Sequence, residues 1–580
     1  MKKALAYFLT DRIPDKTHKV TAGWFFESTQ ENESAPCDVL TNWCEEQALT
    51  IERLAEGLFA LTKRSIFVCR SPEYLLVGCA ESLSRVVDRW RHELDDLLSQ
   101  YEILKTKGGN SKPEQAVQIQ LTRLRGEYLL GVLATMGFLP GYGFPTNVVQ
   151  LVTTTLEDLS RKTKKEGFDR EDNRSKRAGF PSRNLAIAIR DYAPGTDTVL
   201  DGRVYRSSGV TLNWHMPAEM DSAPEIQNLR WVWRCENCGG NGTRLLKPES
   251  CPHCGEKDSS KLTRNRYLQP AGFAVDIRCK PHNDISIPQY ISVRDPLISL
   301  DGADWMLLPN PSFGRFRSSI QAELFYRSEG LHNKGFSLCL RCGFADSMSG
   351  SAERPATVSG HKRLRGGKMD DREKECPGNH EDWAILDNIF MGVTTRTNVL
   401  ELQLRGYDGK PLDKTTAYTL AVALRQAWSL LLGIEESEIG SHAAPSRNQL
   451  DQPTYSIFLF DTATGGAGYI SQAVSLWPEL LKQAESILHC PRNCDSACQA
   501  CLLTYDTQHH SNDLNRYNAL ELLSPSYLSS FEIPEHIKAF GPESKLEMEP
   551  LILAFNREWQ KHPISSVRAY LGGNTSLWNQ

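Results

Sequence analysis

The 580-residue chain contains no G-x-x-x-x-G-K-S/T segment and no DEAD or DEAH box. The first absence removes the lysine that reaches nucleotide phosphates, and the second removes the acidic group that holds magnesium. The chain by itself is therefore not expected to run a helicase ATPase cycle. GGKM at Gly366 to Met369 keeps a lysine but lacks the preceding glycine spacing and the hydroxyl. No run of eighteen apolar residues occurs, so no membrane-spanning helix is expected. The opening MKKALAYFLTDR has an apolar core only from Ala4 to Leu9, followed at once by Asp11 and Arg12, which is too short for a secretory signal. Strong charge of one sign is lacking too. At a net −5 there is no global field to attract nucleic acid, and any such contact must come from local basic patches.

What remains is an ordinary globular composition, 40% hydrophobic and 24% charged, on a chain too long for a single core. Cysteine is the unusual component. Eleven of the sixteen fall in tight clusters with ligand spacing, and Cys37, Cys44, Cys69, Cys79 and Cys279 are scattered, which is the usage of a cytoplasmic zinc protein and not of a secreted disulfide one. Cys235, Cys238, Cys251 and Cys254 form C-x2-C-x12-C-x2-C with glycines after the knuckles, the pattern of a zinc ribbon. Cys490, Cys494, Cys498 and Cys501 fall within twelve residues as C-x3-C-x3-C-x2-C, close enough to meet on one ion. A third set joins Cys339 and Cys342 to Cys376 and His380 across a 33-residue gap, with His361 competing for the fourth position. Two to three zinc ions are expected. With four protein ligands each, they would leave no open position for substrate, and so they would be structural.

In chain order, residues 1–160 read as a mixed N-terminal region. It includes strand-like Ser65 to Cys69 and Tyr74 to Gly78, a helix with the stripe Leu83, Val86, Val87, Trp90, Leu94 and Leu97, and a second helix near Glu114 to Met136 that completes a hairpin. Residues 161–183 are a basic linker, and 184–330 a β-rich domain carrying the ribbon at 231–258, with strands expected at Leu185 to Arg190, Thr198 to Leu200, Val204 to Tyr205 and Trp231 to Arg234. Residues 331–385 hold the third zinc module, 386–525 an α/β domain, and 526–580 a tail. In the α/β domain the strands Asn398 to Leu404 and Tyr455 to Phe460 flank an all-round apolar helix, Thr415 to Leu432, stopped by Gly433. Helices near Ala467 to Leu488 and Leu514 to Leu523 bracket the four-cysteine knot. The expected fold is mixed α/β and multidomain, with an N-terminal helical hairpin region, a β-rich zinc-ribbon region and a C-terminal α/β domain with a four-cysteine zinc knot.

The order strand, Asp461, a turn of Gly465, Gly466, Ala467 and Gly468, helix, four cysteines, and a helix beginning NRYNAL resembles the MrfA-like zinc-binding domain. Domains of this family typically end large bacterial DEAD/DEAH-box (superfamily 2) helicases, including some of antiphage defence systems. Gly137 to Leu151 and Ala188 to Val210 resemble, more loosely, segments between motor and zinc domain in such helicases. The resemblance implies the carboxy-terminal, non-motor half of a helicase. It also implies DNA and a helicase motor domain or subunit as partners, in DNA repair or phage defence.

Two basic segments are candidates for the nucleic-acid contact: the arm Arg161 to Arg183 and the loop bearing Lys362, Arg363, Arg365 and Lys368, whose ends the third metal cluster would anchor. Asp461 with Gly465, Gly466 and Gly468 is a candidate anion site at a helix start, or else a turn whose amides Asp461 itself satisfies. Two alternatives of other classes stay open. One is a metal-dependent nuclease using Asp461, His509, His510 and Asp513; the other is a protein-assembly scaffold.

Overall fold

The computed structural model describes residues 20–28, 34–46, 72–106, 112–139, 148–156, 180–212, 229–284, 289–291, 293–300, 302–308, 311–364, 374–406, 408–504 and 507–529. They divide into two compact units, one holding 26–28, 34–46 and 72–87, the other 20–25 and 88–529. The described helices are α1 Ala22–Phe26, α2 Pro36–Glu46, α3 Pro72–Thr106, α4 Lys112–Gly126, α5 Leu129–Thr135, α6 Leu185–Asp191, α7 Lys414–Leu432, α8 Trp477–Leu488, α9 Arg516–Leu522 and α10 Pro525–Ser529. The strands are β1 Val148–Val152, β2 Ser182–Asn184, β3 Asp197–Leu200, β4 Arg203–Val210, β5 Arg230–Cys235, β6 Asn241–Arg244, β7 Leu262–Leu268, β8 Phe273–Val275, β9 Val293–Ser299, β10 Met306–Leu307, β11 Gly314–Ser328, β12 Phe336–Cys339, β13 Ala345–Ser347, β14 Ile385–Leu404, β15 Ile439–Arg447 and β16 Pro453–Asp461.

The smaller unit packs Phe26, Cys37, Leu40 and Cys44 of its first segments and Cys79, Ala80, Leu83 and Val86 of α3 as fully buried side chains. Tyr74 to Gly78, expected as strand, belongs to α3. Pro72 opens that helix, and the buried stripe at three-and-four spacing already begins at Cys79, so helix continuity overrides the β preference of Tyr, Leu and Val. The stripe runs on through Trp90, Leu94 and Leu97 as the sequence predicts. The expected second helix is broken in two. At Glu127 and Tyr128 the backbone pairs with the segment before α1, with Ala22 N–H donating to Glu127 at 2.9 Å and Leu129 N–H to Val20 at 3.0 Å. The segments Ser65 to Cys69 and 161–179 lie outside the described residues.

In the larger unit one sheet has the order β2-β1-β8-β4-β3, with β1 and β8 parallel. Leu185 to Arg190, expected as a strand, is helix α6. Asn184 caps it by accepting from Ala186 N–H at 3.0 Å, and Leu185, Ala188 and Ile189 then share one face over the core, a helical period that a short apolar run does not reveal. The second sheet is organised on the 20-residue β14. This strand pairs β11 along Gly314 to Ser328 with one bulge, β16 on its other edge, β12 antiparallel and β7 in parallel, so segments from 230 to 461 share hydrogen-bonded strands. Strand β11 went unread in the sequence because half its residues are polar. Those residues are matched across the ladder: Arg315 stands opposite Gln403, Arg317 opposite Glu401 and Glu323 opposite Arg396, with Arg317 Nε 2.6 Å from Glu401. Cross-strand pairing lets a charged row be covered.

Helix α7 is buried almost throughout, capped at its start by Asp413, whose carboxylate accepts from Thr416 N–H at 3.0 Å, and ended by Gly433 at φ +67°. It packs on β15, β16, α8 and α9, which is the cover its all-round apolar sequence requires. The fold is mixed α/β with two curled sheets, few helices and a four-cysteine cluster near the end. Among the described residues no helix is long and apolar enough to cross a membrane.

Candidate metal centres and nucleic-acid interface

Each of the three clusters predicted from spacing is assembled, and in each the ligand atoms lie within 4.8 Å of one another. A tetrahedral ion with Zn–S bonds of about 2.3 Å sets its sulfurs about 3.8 Å apart, whereas a disulfide holds them at about 2.05 Å. In the ribbon, Cys235 and Cys254 are 3.6 Å apart, as are Cys238 and Cys251. Two knuckles present them. Gly239 N–H returns to the carbonyl of Cys235 and Gly255 N–H to that of Cys251, each at 2.9 Å, with the glycines at φ +77° and +74°. In the C-terminal knot Cys490 and Cys498 stand 3.6 Å apart, and Cys494 and Cys501 3.7 Å. The backbone N–H of Cys494 helps hold the Cys490 thiol down to about 6, so a thiolate is available at neutral pH.

The middle cluster corrects one expected ligand. Its four members are Cys339, Cys342, Cys376 and His361, all buried, while His380 lies exposed on the surface, 3.5 Å from Glu375. The reason is local geometry. His361 Nδ1 sits 2.8 Å from the carbonyl of Val358 and donates to it, which turns Nε2 toward Cys342 at 3.3 Å. The ring is also stacked on Phe344, centroids 5.1 Å apart. His380, one turn after Cys376 in a short 3-10 helix, points away from the thiols.

These donor sets fit three structural zinc ions, closed by protein ligands with no position left for water. Each would contribute on the order of 10 kcal/mol to folding its module. Around the knot the chain supplies a second layer that the sequence did not signal. Arg516, 3% exposed, donates to the carbonyls of Cys494 at 2.7 Å and Leu488 at 3.4 Å and to Asn493 Oδ1 at 3.1 Å, tying the knot's backbone to α9. The expected helix Ala467 to Leu488 is a 3-10 segment, Ile470–Leu476, followed by α8.

The candidate anion site is already filled. Asp461 is fully buried; its Oδ2 accepts from Ala467 and Gly468 N–H at 2.7 Å each and from Asn398 Nδ2 at 3.1 Å, and its Oδ1 from Ile470 N–H at 3.1 Å. Gly465, Gly466 and Gly468 have φ of +82°, +72° and +86°, and a Cβ on Gly466 would come within 2.6 Å of Asn398. The glycines make the turn and Asp461 takes its amides, so the anion reading is corrected to a structural one. The same burial removes Asp461 from the nuclease set. His510 does approach Asp513, at 3.5 Å, but Asp513 is held by Lys414 at 2.8 Å and His510 leans on Asp295 at 3.7 Å. No contact joins this group to Asp461 among the described residues. Of the basic loop, Lys362 pairs as an isolated bridge with Glu375, which brings the loop's ends together, and Lys362 and Arg363 are half-buried. Arg365, Lys368 and the arm 161–179 lie outside the described residues, as does the side chain of His509.

Residues 420–502, which run from within α7 to just past the last cysteine of the knot, match the family model of the MrfA Zn-binding domain, so the chain carries that domain near its C-terminus. The wider chain is similar to Druantia protein DruE of Escherichia coli (strain UMEA 4076-1), 27% identical over 430 residues. The alignment covers 68% of this chain and 22% of DruE, so the chain spans about a fifth of that relative's length. Among solved structures it is similar to the DUF1998 helicase MrfA bound to DNA, with a TM-score of 0.28 and 10% identity over 65% of this chain and 33% of that one.

Proposed function

We propose that this chain is a nucleic-acid-binding, zinc-containing accessory region of a superfamily 2 DNA helicase, without the ATPase motor. On this reading it works in the cytoplasm with a motor domain or subunit, in DNA repair or phage defence. The observation that carries the reading is the MrfA Zn-binding domain over residues 420–502, set on three metal-ligand clusters and accompanied by no phosphate-binding loop. The similarity to DruE outside that domain supports extending it to most of the chain.

The test is an ATPase and binding assay on the purified chain. It should hydrolyse no ATP with or without DNA, and it should bind DNA with an affinity that falls steeply as salt rises. Robust DNA-stimulated hydrolysis would sink the motor-free assignment. Cleavage of DNA in magnesium or manganese would favour a nuclease, and no salt-dependent DNA affinity would favour an assembly scaffold.

A further inference from the structure

The zinc ribbon carries a surface for which neither the ribbon's fold nor the C-terminal domain has a use. Across β6, β5 and β7 the register places Arg244, Trp231 and Arg266 side by side, so their side chains leave the same face of the sheet. The next row toward the metal holds Gly242, Trp233 and Arg264. Trp233 is buried against His253 of the ribbon, centroids 5.5 Å apart, and Arg264 is used up on the carbonyls of Glu249 and Lys257. The inner row is therefore structural. The outer row is not: Trp231 is half-buried, Arg244 and Arg266 are exposed, and Lys247 comes over from the ribbon loop. The Arg266 guanidinium lies 5.1 Å and the Lys247 ammonium 5.3 Å from the Trp231 ring centroid. None of the three cations takes part in an ion pair among the described residues. Beside Lys247, Leu246 is 72% exposed.

Charge says what such a face would meet. Between Leu229 and Leu268 there are eight Lys and Arg against four Asp and Glu, in a chain whose net charge is −5. The indole holds two cations in place at little entropic cost, and strand spacing keeps the third within about 5 Å of the Trp231 backbone. A duplex shows phosphates, sugars and base edges but keeps its base faces stacked inside. A single strand shows phosphates together with apolar base faces, and Trp231 and Leu246 set among cations suit the latter. Resting on the nucleic-acid-binding reading above, we propose that Arg244, Lys247 and Arg266, arranged around Trp231 on the outer face of the zinc ribbon, form a docking surface for single-stranded nucleic acid.

The experiment uses the full chain and a fluorescein-labelled deoxythymidine oligomer of about 20 nucleotides, long enough for the site sizes of single-strand binders, in a salt titration with zinc content measured on every variant. Arg244→Ala, Lys247→Ala and Arg266→Ala combined should weaken binding at least tenfold and flatten the log–log salt slope by about 0.7 for each phosphate that is no longer neutralised. Trp231→Leu should weaken binding too, and Trp231→Phe, which keeps a ring, should restore part of it. Lys247 should be protected from acetylation in wild type by the oligonucleotide, a readout that does not depend on any variant folding. Unchanged affinity and slope in the zinc-replete triple variant, or no protection of Lys247, would overturn the surface while leaving the proposed function standing. A wild-type chain without affinity for any DNA would overturn both. Equal affinity for a duplex, or equal competition by polyglutamate, would overturn the single-strand assignment.

Discussion

His361 becomes the fourth donor of the middle cluster because of where its other nitrogen goes. With Nδ1 committed to Val358 and the ring held on Phe344, Nε2 has a lone pair aimed at the thiols, while His380 has only a surface carboxylate for company. His361→Ala is expected to lower zinc from three ions per chain to two, and His380→Ala to leave all three, by elemental analysis of chain purified without chelator. The reverse outcome would return the site to His380. Asp461 teaches a related lesson: a carboxylate next to a glycine turn and a helix start invites an anion-site reading, but a fully buried one that collects three backbone amides and an Asn side chain already occupies the place a bound anion would take.

At the scale of elements, side chains from strands far apart in the chain meet within the large sheet, to which β15 and β9 both belong. His442 on β15 faces Asp295 on β9 at 3.6 Å, with His510, Arg234 and Arg327 as its other charged neighbours. Burial outweighs Asp295, and the imidazole is held down to about 4 from an ordinary 6.5. The fold thus favours the neutral ring. Above pH 6.5 both folded and unfolded chains carry it neutral and the contribution is complete. As pH falls from about 6.5 to about 4 only the unfolded chain takes up the proton, and stability drops by about 3 kcal/mol, at roughly 1.4 kcal/mol for each tenfold change in proton affinity. Protection factors of the β15 and β16 amides, which correct for the slower intrinsic exchange at low pH, should therefore fall between about pH 7 and about pH 5 more in wild type than in His442→Leu. An equal fall in the two would show that His442 is not the group responsible.

For the whole molecule, the clusters close separate stretches of chain, so metal loss should be modular. Treatment with a strong chelator should release three zinc ions and raise proteolytic sensitivity around 235–254, 339–376 and 490–501. Cys494→Ser should remove one ion and loosen 490–522 without disturbing the ribbon. Loss of all three ions from that single variant would mean that the modules are thermodynamically fused, a coupling that the shared strand β14 makes physically conceivable for the ribbon and the middle cluster.

Much of this was written locally. The knot's gaps of two to three residues and the ribbon's two C-x2-C pairs, only twelve residues apart, close short loops, so both were readable before any fold was known. The same holds for α7, whose Asp413 cap, apolar body and Gly433 stop lie within one continuous stretch. Tertiary structure decided what depends on partners far away in the chain. Beside Cys339, Cys342 and Cys376 either His361 or His380 could close the site by count, and only the path of the chain through Val358 and Phe344 selects His361. The polar row of β11 reads as surface until Glu401, Gln403 and Arg396 arrive opposite it. Trp231, Arg244, Lys247 and Arg266 are scattered along 36 residues and become one face only through strand register and the return of the ribbon loop over the indole. Sequence alone determines interactions whose partners are close enough that loop closure costs little. Long-range pairing pays a larger closure entropy, recovers it only through the packing of the whole sheet, and so leaves no local trace.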